Sequence, residues 1–487
     1  MYKAYITILT NVRKHPNADR LLLADVFGNT VCVSTDYTEG QLGVYFPTDG
    51  QLSIEFAEKN NLVRKKDDAG NNIGGYMDAD KRNVTAIRLR GEKSDGLFLP
   101  ISALNYCFAH GDASIELRAG DVIDGLVNGH EICCKYIPRS NTRRGTVTEG
   151  NRTRKKKVAT APLFKEHADT EQLAYNLGAF KPGDEIEITL KMHGTSQRTG
   201  YLPVLQGYAD TWPCRVGNAL RHIMRKMGCY HGEDVHDGEP IYDYGYVSGT
   251  RRVVLDSYEG GFYGNNEFRE QHSKAFEGKL WKGETVYYEV VGFTTSGAPI
   301  MSSASNSKLN DKEFIKQYGK ETVFSYGCAP NGVGYYLDEE HNQIGIENAL
   351  PQSAIYVYRM TMTNPDGEVV EYTPDFMRYR CEQMAVKTVP VFAKAVLNEE
   401  SRFAINDDST EPGDLGAYVM KMAELFYDGP DPVGKTHVRE GVVVRIINRP
   451  KFTAYKHKCF AFKCLEGLVK ADAEAPDMEE AQEIDNG

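Results

Sequence analysis

No stretch of this 487-residue chain approaches the roughly 20 consecutive apolar residues that a membrane-spanning helix needs. Basic residues are in deficit, 57 against 68 acidic ones, for a net charge of −11. Seven of those acids, and no base, lie in residues 471–487, so the remainder is only mildly acidic. No global basic field exists, and any grip on nucleic acid must come from local patches. The ten cysteines include no Cys-x-x-Cys pair, and the adjacent Cys133 and Cys134 are poorly placed to share one zinc. Free thiols in a reducing compartment are expected. The N-terminus alternates and then turns charged, unlike a signal peptide. With 41% hydrophobic and 26% charged residues, the composition is that of a folded, soluble, cytoplasmic protein of two or three domains.

Residues 1–140 read as short strands cut by turns. TVCVST (30–35), LGVYFP (42–47), VTAIRLRG (84–91) and DGLFLP (95–100) alternate or run apolar, which suggests a small barrel or sandwich. Residues 139–157 hold eight Arg and Lys among Ser, Asn, Thr and Gly, and mark a basic linker set at 141–160. Strands and helices mix over 161–470, and the acidic tail 471–487 reads as disordered. Residues 215–227 have helical spacing, with Val216, Leu220, Ile223 and Met227 on one side. Thr373-Pro374 reads as a helix start, running through FMRYRCEQMAVK.

In EIEITLKMHGTS, Ile186, Ile188 and Leu190 share one strand face and Glu187, Thr189 and Lys191 the other. Lys191 therefore leaves the apolar layer just before the turn at Gly194. Further along come GTRR (249–252), then YYEVVG with Glu289 inside an apolar strand. IYVY follows with Tyr356 and Tyr358 on one face, REGVVVRI with Glu440 beside valines, and CFAFK ending in Lys463. Charges in apolar strands are costly unless paired, so acids and lysines recurring there point to one convergent pocket. None of these signals carries weight alone; their order does.

The ordered set resembles the covalent nucleotidyltransferase superfamily of polynucleotide ligases and capping enzymes. KMHG resembles its motif I, GTRR the next motif, YEVVG motif III, IYVY motif IIIa, EGVVV motif IV and FK motif V. Within the superfamily KMHGTSQR is most similar to ATP-dependent RNA ligases, and KEHADTEQL (165–173) resembles an element they carry before motif I. His193 stands where Asp is frequent. Leu465 stands where motif V has a second lysine, so that either Lys463 acts alone or Lys456 or Lys458 substitutes. TNVRKHPNADRL (10–21) resembles the start of OB-fold tRNA-binding domains, and an OB module ahead of the transferase resembles a manganese-dependent branch of RNA ligases. DNA ligases and capping enzymes carry an OB domain after motif V, for which the 24 residues beyond Lys463 leave no room.

The resemblance implies an α+β fold: an N-terminal OB-like β-barrel that binds RNA, then an adenylyltransferase domain of antiparallel sheets with flanking helices. It implies an ATP-dependent ligase that seals RNA 3′-OH and 5′-phosphate ends, in a nicked duplex or a broken tRNA, through a lysyl-AMP intermediate. By the same resemblance Lys191 is the nucleophile and Glu289, Glu440 and Lys463 complete the catalytic set. Gln172, Gly194, Arg198, Arg251 and Tyr358 (or Tyr356) bind the nucleotide. Glu289 and Glu440, with His193, hold Mn²⁺ or Mg²⁺ through water. A monomer without a membrane partner is expected. The rival readings are a catalytically inactive RNA-binding protein and a DNA-joining or capping relative.

Overall fold

The computed structural model describes residues 2–66, 72–137, 160–167, 170–229, 234–255, 258, 266–332, 336–337, 343–344, 350–402 and 414–471. The basic linker and the acidic tail beyond 471 lie outside them. Among the described residues no helix is long and apolar enough to cross a membrane.

The N-terminal region is built from short antiparallel strands, as its turn-punctuated alternation predicts. Leu97–Pro100, Leu42–Phe46, Ala4–Ile8 and Val122–Ile123 form a four-stranded sheet. Thr10–Lys14, Leu21–Val26 and Asn29–Ser34 form a three-stranded one. Their inward side chains, among them Ile6, Val44 and Phe46, are wholly buried. Among the described residues these sheets do not close into one barrel.

Two five-stranded sheets make up the second region. In the first the order is Glu171–Gln172, Thr453–Lys458, Gly441–Ile446, Glu185–Lys191 and Val391–Val396, antiparallel apart from the first pair. The second, all antiparallel, has Pro240–Gly249, Thr195–Tyr208, Glu284–Gly292, Ser353–Thr363 and Val369–Glu371. Ile186, Ile188, Val442, Val444 and Ile446 bury one face of the first sheet against the helix Leu415–Glu424. The other face is left to meet the second sheet, and only three residues, Met192 to Gly194, separate the strand ending in Lys191 from the one opening at Thr195.

Two segments depart from the sequence reading. CFAFKCL is not a strand: Phe460–Ala471 is a helix, opened by the Lys463 N–H donating to the Cys459 carbonyl. Five residues of alternation fit a strand and the first turns of a buried helix alike. The helix at Thr373-Pro374 forms, with Thr373 capping the Phe376 N–H, but ends at Gln383, before Ala385 takes a φ of 55°.

Candidate active site

The register of the first sheet assembles the site. Lys191 lies opposite Gly441, and Gly441 opposite Lys458. Glu440, one residue before the middle strand, emerges between the two lysines. Its Oε1 is 2.8 Å from Lys191 Nζ and 3.5 Å from Lys458 Nζ, and the carboxylate is 2% exposed. Burial pushes its pKa up, but Lys191 and Lys458 outweigh that and hold it below the usual glutamate value. Gly441 permits the crossing: its φ is 150°, and a Cβ would fall 2.1 Å from the His457 carbonyl oxygen. At Gly194 a Cβ would meet Val290 O at 2.3 Å and Glu289 Cγ at 2.9 Å, so only glycine lets the turn after the lysine enter the second sheet beside the strand Glu284–Gly292.

A cleft of about 770 Å³, counting the space at its mouth, opens from Lys191. Glu187, Thr189, Lys191, Val443 and Arg445 line it from the first sheet, and Glu289 and Tyr358 from the second. Arg251 enters from the turn after Pro240–Gly249, and His167, Thr170 and Phe452 close the far side. The Tyr358 hydroxyl is 3.0 Å from Ser196 Oγ, which sets the ring at the wall. Tyr356, 5% exposed, belongs to the core instead.

His167 was not singled out in the sequence, although KEHADTEQL contains it. Its ring centroid lies 5.2 Å from that of Tyr358, 5.3 Å from Tyr287 and 5.6 Å from Phe452. Arg359 Nη1 donates to His167 Nδ1 at 3.0 Å, and burial, followed by Arg359, keeps the imidazole far below its usual pKa. It is therefore neutral, with its proton on Nε2.

Three expected positions sit elsewhere than expected. Lys463 is on the helix, and its Nζ is 2.6 Å from Asp95 of the N-terminal region, not beside Glu440. Lys458 and Lys456, on the strand Thr453–Lys458, occupy the flank of Lys191 and Glu440 instead. Arg198 is 1% exposed, stacks 4.2 Å from the Phe164 ring centroid and donates to the Lys165 carbonyl. It braces the 164–167 segment from behind and does not line the cleft. Thr170, not Gln172, reaches the cleft, because Gln172 pairs with Lys456 at the sheet edge. His193 sits edge-on between Phe324 (4.6 Å) and Phe462 (4.7 Å), its Nδ1 3.8 Å from Glu440 Oε2, and burial lowers its pKa to about 4.

Glu289, Glu440 and His193 do not gather their ligand atoms tightly. Among the described residues the only such trio within 4.8 Å is Asp210, Cys214 and Asp237, between the strands Thr195–Tyr208 and Pro240–Gly249. Those carboxylates already accept the N–H groups of Asp237, Gly238 and Thr211. The helix Trp212–Lys226 lies in the same segment. Asn218 bonds the Val235 carbonyl and Arg225 pairs with Asp234, while Leu220 and Ile223 stay more than half exposed.

No protein-family model and no curated protein matches the sequence. Solved structures do match. A variant of Naegleria gruberi RNA ligase with ATP and Mn is similar over 94% of this chain and 98% of that one, at 15% identity and a TM-score of 0.50. An apo variant of that ligase covers 94% and 96% at 15% identity and 0.49, and the ligase with PPi 94% and 97% at 15% and 0.47. At such identity the likeness establishes a shared fold.

Proposed function

We propose that the chain is an ATP-dependent RNA ligase that works through a lysyl-AMP intermediate. The observation that carries the reading is the Lys191 amine, 2.8 Å from a buried glutamate in a cleft that also presents Arg251, Glu289 and Tyr358. The shared fold with a ligase solved with ATP and Mn supports it.

Lys191 Nζ, once unprotonated, attacks the α-phosphorus of ATP. A P–N bond forms, the bond to pyrophosphate breaks, and the amine proton leaves. The AMP then passes to an RNA 5′-phosphate, and a 3′-OH displaces it to seal the strand. Glu440 holds the amine in place, and Lys458 and Lys456 offer positive charge to the phosphates. Arg251 supplies a guanidinium to the same oxygens, while Tyr358 and His167 form the aromatic wall for the base. The hard oxygens of Glu289 and Glu440 suit Mn²⁺ or Mg²⁺, and Glu440 Oε2 is buried without a hydrogen-bond partner, so these separated carboxylates fit an ion held through its water shell. When bound, it would neutralise charge on the α-phosphate. RNA would be held by an OB-like N-terminal surface, where Arg20, Arg64 and Arg90 are exposed, and by the basic linker.

Incubation with α-labelled ATP and either metal should yield a protein–AMP adduct that Lys191→Ala abolishes, and that is discharged onto nicked RNA more readily than onto nicked DNA. A protein that takes no label with either metal would instead support a binding role, and labelling by GTP a capping relative.

A further inference from the structure

Between the two chain segments that carry Lys191 and Glu440 sits a residue that neither motif contains. Tyr326 is 2% exposed and adopts a φ of 46°, a left-handed conformation in which an aromatic side chain is an outlier. Such strain persists only where the surroundings impose it, and it gathers at functional sites. The Tyr326 hydroxyl accepts the His193 N–H at 2.7 Å, so it holds the main chain two residues beyond the lysine. Its ring meets the His437 ring edge-on, with centroids 4.5 Å apart. His437 and Asp431, both fully buried, close the loop 429–439, since the Asp431 N–H donates to the His437 carbonyl at 2.8 Å. That loop runs directly into Glu440. Its Gly434 packs so closely on the Tyr326-Gly327 backbone that a Cβ would fall 2.6 Å from the Gly327 nitrogen. Phe324 completes the wedge, edge-on to His193 at 4.6 Å and to His437 at 5.2 Å. Burial and the nearby Glu440 carboxylate push the phenol far up, so it stays protonated.

We propose that Tyr326 is a positioning residue for lysine adenylation. Its hydroxyl fixes the turn after Lys191 while its ring braces the loop that delivers Glu440, which keeps amine and carboxylate in register. The proposal rests on the ligase reading above and assigns the strained tyrosine a part in its first step. A side chain that only filled the core would not need its hydroxyl on the main chain of the nucleophile's turn.

The test is Tyr326→Phe, which deletes one oxygen and keeps the ring. Single-turnover formation of the protein–AMP adduct is followed against ATP concentration, beside thermal melts. The expected result is a rate constant at saturating ATP lower by about tenfold or more, the loss that a misplaced reacting group brings. The half-saturating ATP concentration should stay within about twofold and the melting temperature should be nearly unchanged. Ser325→Ala, which cuts the neighbouring 3.0 Å hydroxyl contact to Thr436 on the same loop, should keep the unaltered rate. A Tyr326→Phe rate equal to that of the unaltered protein would overturn the proposal. So would a slowing shared by Ser325→Ala, or one matched by a large drop in melting temperature, which would mark a structural role. If the unaltered protein forms no adduct, the ligase reading itself fails; if it does and Tyr326→Phe keeps pace, only the positioning role falls.

Discussion

Lys456 is the residue whose ionisation the site distorts most usefully. Burial, then the charges of Lys458, Lys191 and Arg251, lowers its pKa to about 8. An unfolded lysine titrates near 10.4. Between about 8 and about 10.4 the unfolded chain therefore binds more protons, so this lysine's contribution to stability rises with pH there. Below pH 8 its full penalty is present. Lys456→Met should raise the melting temperature at pH 7, and the gain should shrink as the pH nears 10. The same variant should slow adduct formation, since the cation offered to phosphate is gone, a trade of stability against activity common at such sites. A Lys456→Met protein that melts below the unaltered one at pH 7 would contradict the assigned crowding of cations.

Elements, more than residues, decided what could be read before the fold was known. The alternation of Ile186, Ile188 and Leu190 placed Lys191 on the polar face correctly, because a strand's period of two is local information. The partner of that lysine was legible as a residue type, a lone glutamate beside valines, but its distance was not. Register between strands separated by some 250 residues is a tertiary fact, visible only once Lys191, Gly441 and Lys458 stand abreast. The misplaced lysine has the same origin: CFAFK alternates like a strand, and the strand that carries cations into the site lies just upstream at Thr453–Lys458. Paired variants separate the two lysines. Lys463→Met leaves Asp95, 4% exposed, without its cation and should cost about 3 kcal/mol of stability while adduct formation stays within about twofold. Lys458→Met should slow adduct formation by about a hundredfold, on the scale of losing one preorganised electrostatic contact. Denaturant titration and single-turnover labelling of both variants check this, and the reverse pattern would return Lys463 to the catalytic set.

Across the whole molecule the two regions share one interface. Tyr175 of the second region stacks on Tyr5 of the first with ring centroids 4.4 Å apart and meets Phe27 at 5.3 Å; Ala86 packs into the core formed by Phe460 and Leu465. Arg88 bridges to Asp311 at 3.0 Å, and Lys463 to Asp95. Molecule-wide stability should therefore respond as a unit, and histidines buried in the second region set its acid limit. Burial lowers His193 to about 4 and both His272 and His457 to about 3, and holds His167 far below its usual value. In the unfolded chain each would titrate near 6.5. As pH falls from about 6.5 towards 4, unfolding takes up protons that the folded state refuses, so stability drops with pH through that window. Each such histidine steepens the slope by up to about 1.4 kcal/mol per pH unit. Carboxylates held low, such as Asp375 at about 2, lose their contribution only at lower pH, so the window belongs to the histidines. His272 is buried away from the cleft, its Nε2 2.9 Å from Ser353 Oγ. Melting temperatures between pH 7.5 and 4.5 should fall steeply below 6.5, and His272→Gln should flatten that fall while its adduct formation at pH 7.5 is retained. A melting temperature constant from pH 7 to 5 would show that these rings take up protons without unfolding.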